Sequence, residues 1–197
     1  SADTQAVNSF ISDAPADTVG SLHPEPFYDI TQQRPHVSIG DDIREIVWPS
    51  NEFVLQRNPG HRDVVGLIGV EPHLYWKTYV EAIVVVAEAL GCEAVVTVGS
   101  GAEAIPHSRT PPVTYQGITG VVGVLQAELE ARDIPSVSLR VGIPHYLMNA
   151  EHPQATAALV RHLSHVLDVP NTTDFSDQVD SWRDVHDEIA ENDEQLK

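Results

Sequence analysis

The sequence predicts an α/β fold: a mostly parallel sheet with crossover helices, followed by a helical C-terminal tail. Two observations carry this. From residue 63 onward, short β-branched apolar runs alternate with helix-length segments, strand then helix three times over, which is the pattern of parallel strands linked by crossovers. After residue 170 the chain turns acidic, and Phe175, Val179, Trp182, Val185 and Ile189 recur at spacings of three and four, an apolar stripe on a helix.

Taken in order, Ala6, Val7, Phe10 and Ile11 mark a first short helix within residues 1–22. Pro24, Pro26 and Pro35 punctuate the connection after it. Two strands are expected at Ile43 to Val47 and Phe53 to Leu55, with Pro49 and Asn51 in the turn between them. Residues Asp63 to Gly69 read as a buried strand, and Tyr75 to Leu90 as a helix stopped by Gly91. Ala94 to Val98, Ile118 to Ala131 and Ser136 to Val141 read as strand, helix and strand. Pro153 to Leu167 is a helix with proline at its start. Residues 1–170 are expected to form the α/β domain and 171–197 an acidic helical extension.

The chain is long enough to bury about 70% of its unfolded surface, and 42% of its residues are hydrophobic, which excludes wholesale disorder. Eleven basic against 29 acidic residues give a net charge of −18, so neither a phosphate backbone nor an anionic membrane is an expected partner. Ala82 to Ala87 is far too short an apolar run to cross a bilayer. Ser1 to Phe10 shows no basic start followed by an apolar stretch, and Cys92 is the single cysteine; a cytoplasmic location is expected.

Ligands of open parallel sheets gather beyond the carboxyl ends of the strands. Here the three strands exit into Gly69-Val70-Glu71-Pro72, into Gly99-Ser100-Gly101 with Pro106-His107-Ser108-Arg109, and into Gly142-Ile143-Pro144-His145-Tyr146. Glu71, His107 and His145 are the candidate acid–base groups. Each has a structural alternative: Glu71 in the first turn of a helix, where its charge favours the dipole, and the histidines bonded to loop carbonyls. Arg109 could hold a phosphate or carboxylate, or pair with one of the many acids. Gly99 and Gly101 could offer backbone N–H groups to an anion. Gly117, Thr119 and Gly120 could do so at a helix N-terminus, or form a turn with a threonine cap. Gly99, Gly101 and Ala104 match a loose dinucleotide fingerprint, but Pro106, Pro111 and Pro112 forbid the helix it requires, so no such cofactor is expected. His162 and His165 lack a third metal ligand, Cys92 lacks a catalytic signature, and Ser100 and Ser108 lack a nucleophile elbow. No cofactor or metal is expected.

Several of these segments occur in a telling order. Gly69-x-Glu71-Pro72-x-x-x-Trp76, the Gly99 exit, Pro106-His107-Ser108-Arg109, Tyr115-x-Gly117-x-Thr119-Gly120 and Pro144-His145-Tyr146 are followed by Pro153 and Ala155-Thr156. Together they resemble the proteasome assembly chaperone 2 family in its actinobacterial branch, over about residues 25–170. The resemblance implies a three-layer α/β/α sandwich similar to purine nucleoside phosphorylases and related hydrolases. It adds Tyr146 to the candidate ligand-binding residues. It also implies a homo-oligomer, with a trimer as the expected form, and a non-catalytic role in protein contacts like that of the eukaryotic relatives. The alternative is a nucleoside or amide hydrolase, or a phosphorylase, with Glu71 or His145 as acid–base and Arg109 holding an anion. The chain departs from the family in beginning beside its first helix, in bridging Arg109 to Tyr115 with only a few residues, and in carrying Ile118 where proline is usual. These departures lead us to expect missing stretches before Ala2 and between Thr114 and Tyr115.

Overall fold

The computed structural model describes residues 2–40, 43–103, 119–144 and 151–192. The chain opens with helix α1 (Ala2–Ile11), which buries Ala2, Ala6, Phe10 and Ile11 along one side. Strand β1 (Ala16–Leu22) follows, then a hairpin of β2 (His36–Gly40) and β3 (Ile43–Val47), and then β4 (Asn51–Gln56) and β5 (Val64–Gly69). Helix α2 (Trp76–Ala89) leads to β6 (Val95–Glu103), α3 (Val121–Ala131) and β7 (Ser136–Pro144). Helices α4 (Pro153–Leu167) and α5 (Ser176–Asn192) complete the order. Gly91, just past α2, has φ +67°, a left-handed conformation that glycine adopts without cost.

The expected mostly parallel sheet is not what forms. Strands β1, β4 and β5 make an antiparallel sheet in the order β1-β4-β5, and β2 pairs antiparallel with β3. Among the described residues, only β6 and β7 pair in parallel. The physical reason lies in the connections. Seven residues separate β4 from β5, a short return that antiparallel neighbours permit, whereas parallel neighbours need a crossover. Helix α3 supplies that crossover between β6 and β7. Helix α2 also links β5 to β6, but among the described residues no ladder joins those two strands.

Side chains join them instead. Ala6, Phe10 and Ile11 of α1 and Leu159, Val160 and Leu163 of α4 share one apolar cluster. Packed against it are Val54 and Ile68 of the antiparallel sheet and Val96, Val98, Leu139 and Val141 of the parallel pair. A second cluster gathers Tyr79, Val80, Ile83 and Val84 of α2 with Leu125 and Leu129 of α3, and Leu67 and Val95 pack on it. Gly66 of β5 permits close approach: a Cβ there would lie 2.9 Å from Ile11 Cγ1.

Helix α5 lies against α4. Phe175, Val179 and Trp182 of its stripe are half-buried, Val185 is exposed, and the side chain of Ile189 lies outside the described residues. Trp182 donates its indole N–H to the Glu151 carbonyl at 3.0 Å and lies 4.4 Å, centroid to centroid, from the His152 ring. Upstream, Asp13 accepts from the Thr172 N–H at 2.8 Å and from the Thr172 and Thr173 hydroxyls. Partial burial pulls the Asp13 carboxyl upward, but these three bonds outweigh it and hold its pKa below the ordinary value.

The sign of that shift sets a pH dependence. A depressed folded-state pKa stabilises fully above the unfolded value, near pH 4, and is lost as pH falls through the lower folded value. Asp13→Asn is expected to flatten the acid limb of stability against pH and to leave the alkaline limb unchanged, as read by urea unfolding across the acid range.

Candidate functional site

The end of β5 is built around a buried amide. Asn51, 3% exposed at the start of β4, donates its side-chain N–H groups to the Tyr28 hydroxyl and, at 3.2 Å, to the Val70 carbonyl. The Tyr28 hydroxyl donates to the same carbonyl at 2.6 Å. The Phe27 carbonyl accepts from the His73 and Leu74 N–H groups, and Trp76 donates its indole N–H to the Pro72 carbonyl at 2.7 Å. The proline-punctuated segment is thereby tied to the strand exit, and the backbone is fixed where Glu71 leaves the strand.

The Glu71 carboxylate accepts from the Val121 N–H, in the first turn of α3, at 3.2 Å. Gly120 is the N-cap of α3 and has no side chain to fill that role, so Glu71 supplies it from 50 residues away. A Cβ on Gly120 would approach Glu71 Oε1 to 3.3 Å. The helix end that the sequence offers to an exogenous anion already holds an internal one. Thr119 is no cap: its hydroxyl donates to the Gly120 carbonyl at 3.3 Å and leans over the Gly123 position. Beneath lies Tyr79, 4% exposed, whose hydroxyl is pushed far above its usual range by burial, with Tyr28 and Glu71 adding to the effect. Its ring meets Phe27 edge-on at 5.3 Å.

Gly99 and Gly101 do not lie in an exit loop. Strand β6 continues to Glu103, and these glycines pair with Arg140 and Gly142 of β7. The Thr97 hydroxyl, two residues before them, is buried and has no hydrogen-bond partner among the described residues. His107, Arg109, Gly117, His145 and Tyr146 lie outside the described residues, as do the two places where missing stretches are expected. The structure therefore brings Glu71 to Gly120 and leaves the other proposed meetings unaddressed. The thiol of Cys92 is pushed up by burial, which disfavours the reactive thiolate. His162 meets the Ala158 carbonyl of its own helix at 2.7 Å, and among the described residues no group of three or more His, Cys, Asp or Glu could hold a metal.

Sequence reasoning missed the Tyr28–Asn51–Val70 network, because an asparagine in a turn reads as turn chemistry until its burial is known. It also missed a cavity of about 520 Å³ on the α1 side of β4 and β5, whose lining includes Thr4, Asn8, Arg34, His36, Trp48 and Glu52. Arg34 and His36 lie beside the last of the prolines that made this stretch look like plain linker.

Comparisons with known proteins bear on this geometry. The model of the PAC2 family matches residues 1–190. A PAC2 family protein from Streptomyces avermitilis superposes with a TM-score of 0.91 at 27% identity, over 99% of this chain and 91% of that one. The Mycobacterium tuberculosis proteasome-assembly chaperone homologue Rv2125 gives 0.88 at 30% identity, over 99% and 92%. Pyrococcus furiosus PbaA, an archaeal homologue of proteasome-assembly chaperone, shares the fold with a TM-score of 0.64 at 15% identity, over 96% and 89%. No curated protein matches the chain.

Replacing Glu71 by Ala is expected to lower stability by about 0.5–1 kcal/mol, the worth of an exposed charge at a helix N-terminus. Urea unfolding measures it. Glu71→Gln retains an acceptor and is expected to lose less, and added salt narrows the gap between the parent and either variant.

Proposed function

Because the chain belongs to the PAC2 family, we propose that it acts through protein contacts, as a non-catalytic assembly factor of the proteasome-assembly-chaperone kind, and that it self-associates in the cytoplasm. The observation that carries this reading is the engagement of Glu71. Of the three acid–base candidates, it is the one within the described residues, and its carboxylate holds the N-terminus of α3. One oxygen of that carboxylate already serves the fold as the acceptor at the helix end. The likeness to a chaperone homologue at 30% identity over nearly the whole chain supports the same reading, and the single cysteine, Cys92, suits a reducing compartment.

The competing reading, a nucleoside or amide hydrolase or a phosphorylase at the strand ends, is separated by thermal unfolding. The parent and His145→Ala are heated with nucleosides, nucleotides, inorganic phosphate and short carboxylates. No ligand-dependent shift is expected. A ligand at about 100 times its Kd stabilises by roughly 2.7 kcal/mol, about 5–10 °C for a chain of this size. A shift of that size in the parent, absent from the variant, overturns the non-catalytic reading.

A further inference from the structure

The cavity of about 520 Å³ on the α1 side of the antiparallel sheet falls within the volume range of small-molecule sites. Strand pairing shows where it forms. Val54 lies opposite Gly66, and Glu52 lies opposite Ile68. Glu52 and Val54, two apart on β4, share one face of the sheet. Helix α1 presses onto that face at Gly66, where the Ile11 and Val7 side chains lie close. Toward Gly69 the contact opens, and Glu52, Val54 and Ile68 line the cavity. Thr4 and Asn8, four apart and so on one side of α1, line it as well. Arg34, His36 and Trp48 reach it from the two ends of the β2–β3 hairpin.

Two opposite charges line this cavity, and among the described residues neither is in an ion pair. The ion pairs there engage Arg57, Arg62, Arg132 and Arg183 and leave out both Arg34 and Glu52. The half-buried Glu52 carboxylate accepts from the Thr18 hydroxyl at 3.4 Å, a long bond. Arg34 stays unpaired in a chain with 29 acidic residues against 11 basic ones. The two groups are also too far apart to pair with each other. A guanidinium fork matches a carboxylate, and a carboxylate matches an ammonium. Opposite charges held apart in one cavity are complementary to a ligand that carries both.

We propose that this cavity binds a free α-amino acid with an apolar or aromatic side chain. Its carboxylate meets Arg34, its ammonium meets Glu52, and its side chain lies against Trp48, Val54 and Ile68. Trp48 is 48% exposed and offers an aromatic face for such a side chain to cover. The charge of the whole chain favours the zwitterion over a simple ion. A body of net charge −18 repels a free anion, and Arg34 opposes a free cation at the cavity itself. A zwitterion is neutral, escapes both penalties and still meets each charge locally. The proposal goes beyond the protein-contact role put forward above and does not depend on it: it assigns binding and no chemistry.

Titration calorimetry of the parent with L-leucine and L-phenylalanine is expected to show saturable binding of at least one. Blocking either charge of that amino acid isolates its partner. The N-acetyl derivative loses the ammonium and the amide derivative loses the carboxylate. Each is expected to bind more weakly by roughly tenfold or more, the worth of a hydrogen bond to a charged group. Arg34→Ala and Glu52→Gln are expected to weaken the free amino acid by a similar factor. Arg34 is exposed and Glu52 makes one long bond, so without ligand both variants should unfold thermally like the parent. If Glu52→Gln fails to fold, Arg34→Ala and the blocked ligands still decide. Absence of saturable binding by either amino acid overturns the proposal. Binding that a folded variant leaves unchanged overturns it too, by placing the ligand elsewhere. So does an N-acetyl derivative that binds as tightly as the free amino acid, which would make this an anion site. None of these outcomes bears on the non-catalytic reading, whose ligand panel holds no amino acid.

Discussion

The architecture depends on apolar contact across a line where no backbone hydrogen bond runs. β5 ends the antiparallel sheet and β6 begins the parallel pair, and no ladder joins them among the described residues. Helices α1 and α4 on one side, and α2 and α3 on the other, place side chains against both sheets. The hydrophobic effect is non-directional, so it can join two sheets without fixing a register between them. Register here is fixed inside each sheet by its own turns and crossovers.

That division explains which features the sequence announced. Helix α4 was placed at Pro153–Leu167 because proline opens it and a deep apolar stripe follows. Helix α2 and β5 were placed within a residue or two: α2 buries Tyr79, Val80, Ile83 and Val84 at helical spacing, and β5 is a short continuous apolar run. β1 and β2 left no such trace: six of seven residues in β1 and all five in β2 are exposed, and a strand without a buried face shows no alternation. The parallel arrangement was overestimated for a related reason. A continuous apolar run such as Val-Val-Gly-Leu-Ile reports burial on both faces, not the direction of the neighbouring strand.

The candidate site was legible in composition and illegible in commitment. Glu71 was singled out with a place in the first turn of a helix as its alternative; in the structure it lies instead in the coil after β5 and reaches the N-terminus of α3, where Gly120 offers no side-chain cap. No local pattern could have named Val121 as the donor, since 50 residues separate the pair. The Asn51 amide, by contrast, organises the β5 exit through Tyr28 and Val70 from a position that composition marks as an ordinary turn.

Among the described residues no ladder joins β5 to β6, and this has a consequence for how the molecule opens. Hydrogen-bonded sheets tend to unfold as cooperative units, and a boundary held by side chains alone is a natural place for such units to part. The described fold divides there into an antiparallel unit and a parallel unit with α3 as its crossover, with α1 packed on both. In native-state amide exchange, the protected protons of β4 would report the first unit and those of β6 the second, so the two sheets would keep separate clocks within one protein.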